Sequence, residues 1–347
     1  METLALLDDC NATAERPSSR LYTGFVREHR CTDGASLDTV WQAVQGDQRD
    51  GLHALVLADY EWGAQLQGAG LAKLNANADA PADAQPALRV LMFRQCRHLS
   101  RGEVDAWLAA GGDTPAGLAG LQPVVDRPAF HRAIAAIHAA IAAGETYQVN
   151  YTYRMRGRAW GEPRALYRRL RARQPVAFGA FIALPEGRHV LSLSPELFVR
   201  AESGLATARP MKGTAARFVG PEADSETARH LAADEKNRAE NLMIVDLLRN
   251  DLGRVARIGS VKVPSLFAIE PYATVFQMTS TVQARLRPEV DFPGLLRALF
   301  PCGSITGAPK LHTMDLIAAL ENTPRGLYCG AVGWVDAPEP EIGRAHV

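Results

Sequence analysis

Two side chains a short distance apart in this chain could act on one substrate: Glu196, in Ser194-Pro195-Glu196, and Lys212, in Pro210-Met211-Lys212-Gly213-Thr214. A carboxyl group can deliver a proton to a departing oxygen, and an unprotonated amine can attack carbon. The residues around the lysine are stiff or small: Pro210 fixes its own φ, and Gly213 lets the backbone come close to a ligand. Taken alone, Lys212 reads as a solvated surface charge, because lysines are almost never fully buried unless paired. Other segments decide between the two readings.

In Asp234-Glu235-Lys236-Asn237-Arg238-Ala239-Glu240-Asn241-Leu242-Met243, Asn237 and Glu240 fall on one face of a predicted helix. Oxygen donors of this kind suit magnesium, which keeps several waters and needs only one or two carboxylates when the substrate supplies the rest. The ordinary alternative for Glu240 is a solvated helix face. A third segment, Phe300-Pro301-Cys302-Gly303-Ser304-Ile305-Thr306-Gly307-Ala308-Pro309-Lys310, runs through two glycines and two hydroxyls into a helix predicted to start near Pro309. Free N–H groups at such a place attract anions, although a plain capping loop fits the pattern equally. It is not a phosphate-binding GxxxxGK[ST] loop, and Gly63 and Gly68, which have that spacing, are followed by Ala69 instead of lysine.

These residues need elements to hold them. Phe130, Ile134, Ile137 and Ile141 recur at helical spacing between Pro128 and Gly144, and Leu242, Val245, Leu248 and Leu252 form a stripe in a helical stretch from Ser225 to Leu252 that stops at Gly253. A short basic helix is expected from Leu166 to Arg173. Strands are predicted over Gly51 to Ala58, Glu145 to Tyr153, Val176 to Leu184 and His189 to Leu193, the last two joined antiparallel by Pro185-Glu186-Gly187-Arg188. A polar stretch from Asn75 to Ala87 reads as a loop, and the glycine-rich break from Gly111 to Gly120 places a domain boundary near residue 120. Grouped strands followed by long helices predict an α+β fold, not a regular βα alternation.

The chain has 347 residues, 47% of them hydrophobic, which is enough for a large core. Its 38 basic and 38 acidic residues balance, so no general field draws nucleic acid or an anionic membrane. The N-terminus lacks the pattern of a signal peptide and no run reaches membrane-spanning length, so the expectation is a soluble cytoplasmic protein. Cys10, Cys31, Cys96, Cys302 and Cys329 are odd in number and form no CxxC pair, which predicts reduced thiols and no zinc site.

Together, Ser-Pro-Glu, Pro-x-Lys-Gly-Thr, the Lys236–Glu240 helix with Val245-Asp246-Leu247-Leu248-Arg249-Asn250-Asp251-Leu252, and Gly303-Ser304-Ile305-Thr306-Gly307-Ala308-Pro309-Lys310 resemble the chorismate-utilising enzymes, in that family's order. The resemblance is strong over residues 125 to 335 and weaker through Leu6-Leu7-Asp8-Asp9-Cys10. It implies an anthranilate synthase-like fold of antiparallel sheets flanked by helices, with an N-terminal domain over 1–120 and a chorismate-binding domain over 121–340. Within the family, the lysine at 212 resembles the branch that adds ammonia to C4 of chorismate for folate synthesis; anthranilate synthases typically have alanine there. Gln148, in Tyr147-Gln148-Val149-Asn150, stands where the water-using members place a lysine base, which implies ammonia as nucleophile. The resemblance further implies Lys212 as nucleophile and Glu196 as general acid. It implies chorismate contacts from Gln148, Gly213, Thr214, Gly303, Ser304, Thr306 and Gly307, a Mg2+ ion on Glu240 and Asn237, and ammonia from a glutamine amidotransferase subunit. Beyond Trp334 the likeness ends, without the family's carboxylate-clamping arginine or second magnesium glutamate. Residues Glu341 to Val347 match one reading frame of a common sequencing-library adapter, so the expectation is a C-terminal part that is missing and a non-native tail over 341–347. Anthranilate synthase, or a fragment without activity, are the alternatives.

Overall fold

The computed structural model describes residues 2–69, 85–112, 114–337 and the backbone of 342–346. Most of the loop expected over Asn75 to Ala87 lies outside the described residues. The strands are β1 (Leu4–Asp8), β2 (Ser19–Cys31), β3 (His53–Ala58), β4 (Leu88–Leu99), β5 (Gly117–Pro123), β6 (Gln148–Val149), β7 (Met155–Trp160), β8 (Phe178–Ala183) and β9 (His189–Ser194), then β10 (Leu197–Glu202), β11 (Leu205–Arg209), β12 (Met211–Ala216), β13 (Lys262–Pro271), β14 (Val275–Arg285), β15 (Gly307–Ala308), β16 (Ala331–Val335) and β17 (Ile342–His346). Thirteen of them form one sheet in the order β12-β14-β11-β10-β17-β16-β3-β4-β2-β1-β8-β9, with β13 added on β14. The α+β expectation holds, since long helices accompany a sheet whose β1–β8, β3–β16 and β8–β9 pairings are all antiparallel.

Alternation along the strands sorts side chains into separate cores. In β3, Ala54, Val56 and Ala58 face a cluster with Trp41, Phe198, Val245, Leu248 and Leu299, contributed partly by the helices Leu37–Arg49, Glu235–Gly253 and Phe292–Leu299. Leu55 and Leu57 point the other way, onto Ala5, Leu7, Ala180 and Ile182 of strands in the same sheet. Leu6 and Phe181 turn away from that second cluster to meet Val104, Leu108 and Tyr167 on the helices Arg101–Ala109 and Pro163–Arg173. The sheet therefore curls upon itself, and it crosses residue 120: β1 pairs with β8, and β3 with β16.

The local expectations meet mixed outcomes. The hairpin β8–β9 and the strand β3 form as expected. The helix Arg127–Ala142 starts at Asp126, whose carboxylate accepts from Ala129 N–H at 2.7 Å, and it buries Ile137, whereas Ile141 stays exposed. The strand expected over Glu145 to Tyr153 shrinks to the two residues of β6, because among the described residues its ladder partner is the equally short β15. The helix expected from Ser225 to Leu252 is two helices, Pro221–Ala233 and Glu235–Gly253. Asp234 separates them in extended conformation and caps the second by accepting from Asn237 N–H at 2.7 Å. Val245, Leu248 and Leu252 of the predicted stripe are buried, but Leu242 is exposed; Ile244 takes its place in the core.

Candidate active site

Lys212 lies on β12, beside β14. The ladder pairs Met211 with Thr279 and Thr214 with Gln277, so Lys212 and Gly213 contribute one residue more than β14 does across from them. This is a β-bulge, a device that bends a strand and re-aims a side chain. Gly213 has φ of +104°, and a Cβ there would sit 3.1 Å from Asn237 Cβ and 3.2 Å from Met278 Cβ. Glycine thus fits both the backbone angle and the space. Fully buried Asn241 donates from Nδ2 to the carbonyls of Lys212 and Met278, each at 3.3 Å, and its Oδ1 accepts from Ser280 Oγ at 2.5 Å.

Glu196 occupies the join between β9 and β10. Its N–H donates to Ser194 Oγ at 3.3 Å, which ties the turn locally, and its carboxylate Oε1 accepts from Ser304 Oγ at 2.6 Å. Loss of hydration pushes the Glu196 carboxyl up from 4.5 to about 7, against the opposing pull of the Ser304 hydroxyl and the Lys212 charge. Desolvation wins because the group is deep in the fold even though some of its surface stays open to solvent. A carboxyl group poised near neutrality can exchange protons with either form populated. Behind Ser304, Cys302 Sγ lies 3.2 Å from the hydroxyl, and burial pushes this thiol up to about 12, so it stays protonated.

The loop that carries Ser304 is braced on several sides. Gly303–Ile305 forms a 3-10 turn, and β15 pairs Gly307 with Val149 and Ala308 with Gln148. A Cβ at Gly307 would fall 2.0 Å from the Gln148 carbonyl oxygen, and one at Gly303 would fall 2.4 Å from Leu247 Cδ2. Both glycines serve close approach. The Thr306 hydroxyl donates inward to the carbonyls of Gly303 at 3.1 Å and Cys302 at 3.3 Å, so its side chain shapes the loop and offers no donor to the cleft. Thr214 is exposed, with its hydroxyl donating to Gln277 Oε1 at 2.9 Å. Gln148 Oε1 is buried without a hydrogen-bond partner among the described residues, an orphaned acceptor next to the loop.

Asn237 and Glu240 share a face of the helix Glu235–Gly253, with Asn237 packed against Gly213 and hence beside Lys212. Glu240 is partly exposed, and Lys236 Nζ is 3.9 Å from its Oε1. Among the described residues no cluster of three or more His, Cys, Asp or Glu could enclose a metal.

Three supports have no role assigned from the sequence. Buried Arg325 donates to Glu321 at 2.6 and 2.9 Å, to the Ile305 carbonyl at 2.8 Å and to the Asn150 carbonyl at 2.6 Å, and so holds the loop to β6. Lys310 does not face an anion site; its Nζ is 2.5 Å from Asp251 Oδ2 and 3.2 Å from the Leu299 carbonyl. Asn241 is the third. Long-range side chain to backbone contacts of this type have no fixed spacing, so pattern reading passes over them.

The sequence profile of the chorismate binding enzyme family matches residues 17–340. The chain is 48% identical over 208 residues to an aminodeoxychorismate synthase from Streptomyces pristinaespiralis, covering 60% of this chain and 29% of that protein. It is 46% identical over 199 residues to aminodeoxychorismate synthase component 1 from Salmonella typhimurium, covering 57% and 44%. Anthranilate synthase component 1 from Streptomyces coelicolor is 41% identical over 230 residues, covering 66% and 45%. The chain thus spans less than half the length of these curated relatives. Among solved structures, a 2,3-dihydroxybenzoate-specific isochorismate synthase from Bacillus anthracis superposes with a TM-score of 0.76 at 18% identity, covering all of this chain and 84% of the other. Anthranilate synthase component I from Streptococcus pneumoniae gives 0.69 at 24% identity, covering 86% and 71%. At these identities the likeness speaks for the fold, and with it the profile match and the ordered Glu196, Lys212 and Gly303 to Lys310 segments lead to one conclusion: the chain belongs to the chorismate binding enzyme family.

Proposed function

We propose that this chain carries the chorismate-aminating site of an aminodeoxychorismate synthase component 1, which forms 4-amino-4-deoxychorismate for p-aminobenzoate and folate synthesis. One observation carries the reading. A carboxyl pushed up to about 7 accepts from the Ser304 hydroxyl and feels the charge of Lys212, which supports the pairing of an acid with an amine nucleophile.

Lys212 Nζ, as the free amine, bonds to C2 of the chorismate ring. Both ring double bonds shift one place along the conjugated diene, the C4–O bond breaks, and Glu196 gives its proton to the departing hydroxyl, which leaves as water. Ammonia then bonds to C4, both double bonds shift back, and the C2–N bond breaks to release Lys212. The proton shed at C4 returns to Glu196, so the cycle closes. The backbone of the Gly303 to Gly307 loop orients a substrate carboxylate, and the orphaned Gln148 Oε1 accepts from a substrate hydroxyl or from ammonia.

Glu240 and Asn237 would hold magnesium through oxygen donors on one helix, an ion that needs few protein ligands. Bound there, the ion neutralises carboxylate charge on chorismate. Ammonia comes from a glutamine amidotransferase subunit, in keeping with the component 1 names of the relatives. The protein works in the cytoplasm, where five unpaired cysteines are stable; no described helix is long and apolar enough to cross a membrane.

The test is the product formed from chorismate, ammonium and magnesium, with chelator as control. 4-Amino-4-deoxychorismate without pyruvate, lost on chelation, supports the reading. Anthranilate with an equal amount of pyruvate moves the chain to the anthranilate branch, and unchanged chorismate refutes the assignment.

A further inference from the structure

We propose that Asn241 is the positioning residue that holds Lys212 in its working orientation, by completing the hydrogen bonding of the β-bulge on which the lysine stands. The argument begins with the backbone. At the bulge, Lys212 and Gly213 fall outside the regular β12–β14 pairing, where the ladder is locally disrupted. A carbonyl displaced from a regular ladder needs another donor, and Asn241 Nδ2 supplies one to Lys212 at 3.3 Å.

The second Nδ2 hydrogen reaches the carbonyl of Met278, on β14 opposite the bulge, also at 3.3 Å. One amide therefore bridges the two strands where their own ladder is interrupted. Its orientation is set by chemistry, because two carbonyl oxygens can only accept and so demand the NH2 group, leaving Oδ1 to take the Ser280 hydroxyl at 2.5 Å. Ser280 is pinned in turn, with its N–H donating to the Pro210 carbonyl at 3.2 Å and its Oγ accepting from Phe267 N–H at 3.1 Å. Asn241 and Ser280 have no exposed surface, so neither hydrogen-bond set is open to competition from solvent.

Asn241 also rides on the helix that presents Asn237 and Glu240. Its two bonds to β12 and β14 thus fix the offset between the lysine strand and the helix face bearing the magnesium candidates. The side chain's hydrogen bonds go to two backbone carbonyls and the Ser280 hydroxyl. It acts through the Lys212 backbone, and an asparagine is required because no other side chain of this length donates twice and accepts once.

The inference rests on the proposed role of Lys212, and its test is arranged so that the two can fail separately. The first readout needs no turnover: acetylation of Lys212 in the folded full chain, followed by peptide mass spectrometry across pH, with the 83% exposed Lys236 as internal reference. In Asn241→Ala the bulge relaxes and Lys212 labels several-fold faster, roughly threefold or more as local order is lost, while Lys236 is unchanged. Asn241→Asp, equal in size but with acceptors facing both carbonyls, gives the same direction. If either variant fails to fold, Ser280→Ala, which frees only Oδ1, gives a smaller rise.

The second readout is a cycle with Lys212→Ala in the ammonia-driven reaction. Asn241→Ala lowers kcat by about 10- to 100-fold with little change in the KM for chorismate, as expected when a reacting group is displaced by about 1 Å. On the Lys212→Ala background it has no further effect on rate. Unchanged Lys212 labelling, or a loss that is undiminished without the lysine, overturns the proposal. Full activity in Lys212→Ala alone would instead remove the nucleophile and leave the labelling result to stand for the bulge.

Discussion

Replacing Glu196 by glutamine keeps the shape of the side chain and its contact with Ser304 while removing the titration. The wild-type carboxyl is pushed up from 4.5 to about 7, chiefly by lost hydration. A raised folded-state value means that the native state binds the proton more tightly than the unfolded chain. The stabilisation from this group is therefore fully present below pH 4.5 and is lost as pH rises through about 7. Each unit corresponds to about 1.4 kcal/mol, so the raised value is equivalent to about 3 kcal/mol, trimmed to about 2 by the residual exposure of Glu196. Glutamine carries no such loss. In urea titrations Glu196→Gln should match the wild type within about 0.5 kcal/mol at pH 4 and exceed its stability by about 2 kcal/mol at pH 8.5. Equal differences at the two pH values would show that the carboxyl is not held near neutrality, and the acid role built on it would fall. The same variant should lose chorismate turnover while gaining stability, a trade expected where function maintains a destabilised group.

Ser304→Ala removes a hydrogen bond that favours the charged form, so the Glu196 carboxyl should titrate higher still, by about 1 unit for a bond to a charged group worth about 1.5 kcal/mol, seen as an upward shift of the matching limb in the pH–rate profile; an unmoved limb contradicts the contact. Gly213→Ala must adopt a φ of +104° and crowd Asn237 and Met278, and should cost about 1–3 kcal/mol by urea unfolding, with loss of turnover. Lys310→Met leaves the buried Asp251 carboxylate without its partner and should destabilise by about 3–5 kcal/mol, most of it recovered in the double variant with Asp251→Leu; a mild effect of the single change would mean the pair is not buried as described.

The residues with chemical potential were legible because they are local in sequence and carry unusual neighbours. Pro210 and Gly213 flank Lys212 for reasons that the bulge makes plain, and Gly303 and Gly307 occupy places where any Cβ would collide. Hidden from sequence were the contacts between distant segments. The break near residue 120 is real as composition, yet the sheet runs across it because β1 and β3 find partners in β8 and β16, far along the chain. Sequence predicts a long strand where only the short β6 forms, since aromatic and β-branched residues favour extended backbone whether or not a neighbour is present to pair with it. Thr306 is expected to meet a ligand, but its hydroxyl donates within the loop. Asn241 and Arg325 hold the site from behind through contacts to backbone carbonyls far away in sequence.

The central claim is that Lys212 is the nucleophile that Glu196 serves. The most direct measurement is the rate of 4-amino-4-deoxychorismate formation from chorismate and ammonia by the full chain and its Lys212→Ala variant under identical magnesium and pH. The account predicts a fall of about 100-fold or more in kcat, with chorismate still bound, as expected when a covalent step is lost. Aminated product formed at the wild-type rate by Lys212→Ala would contradict it.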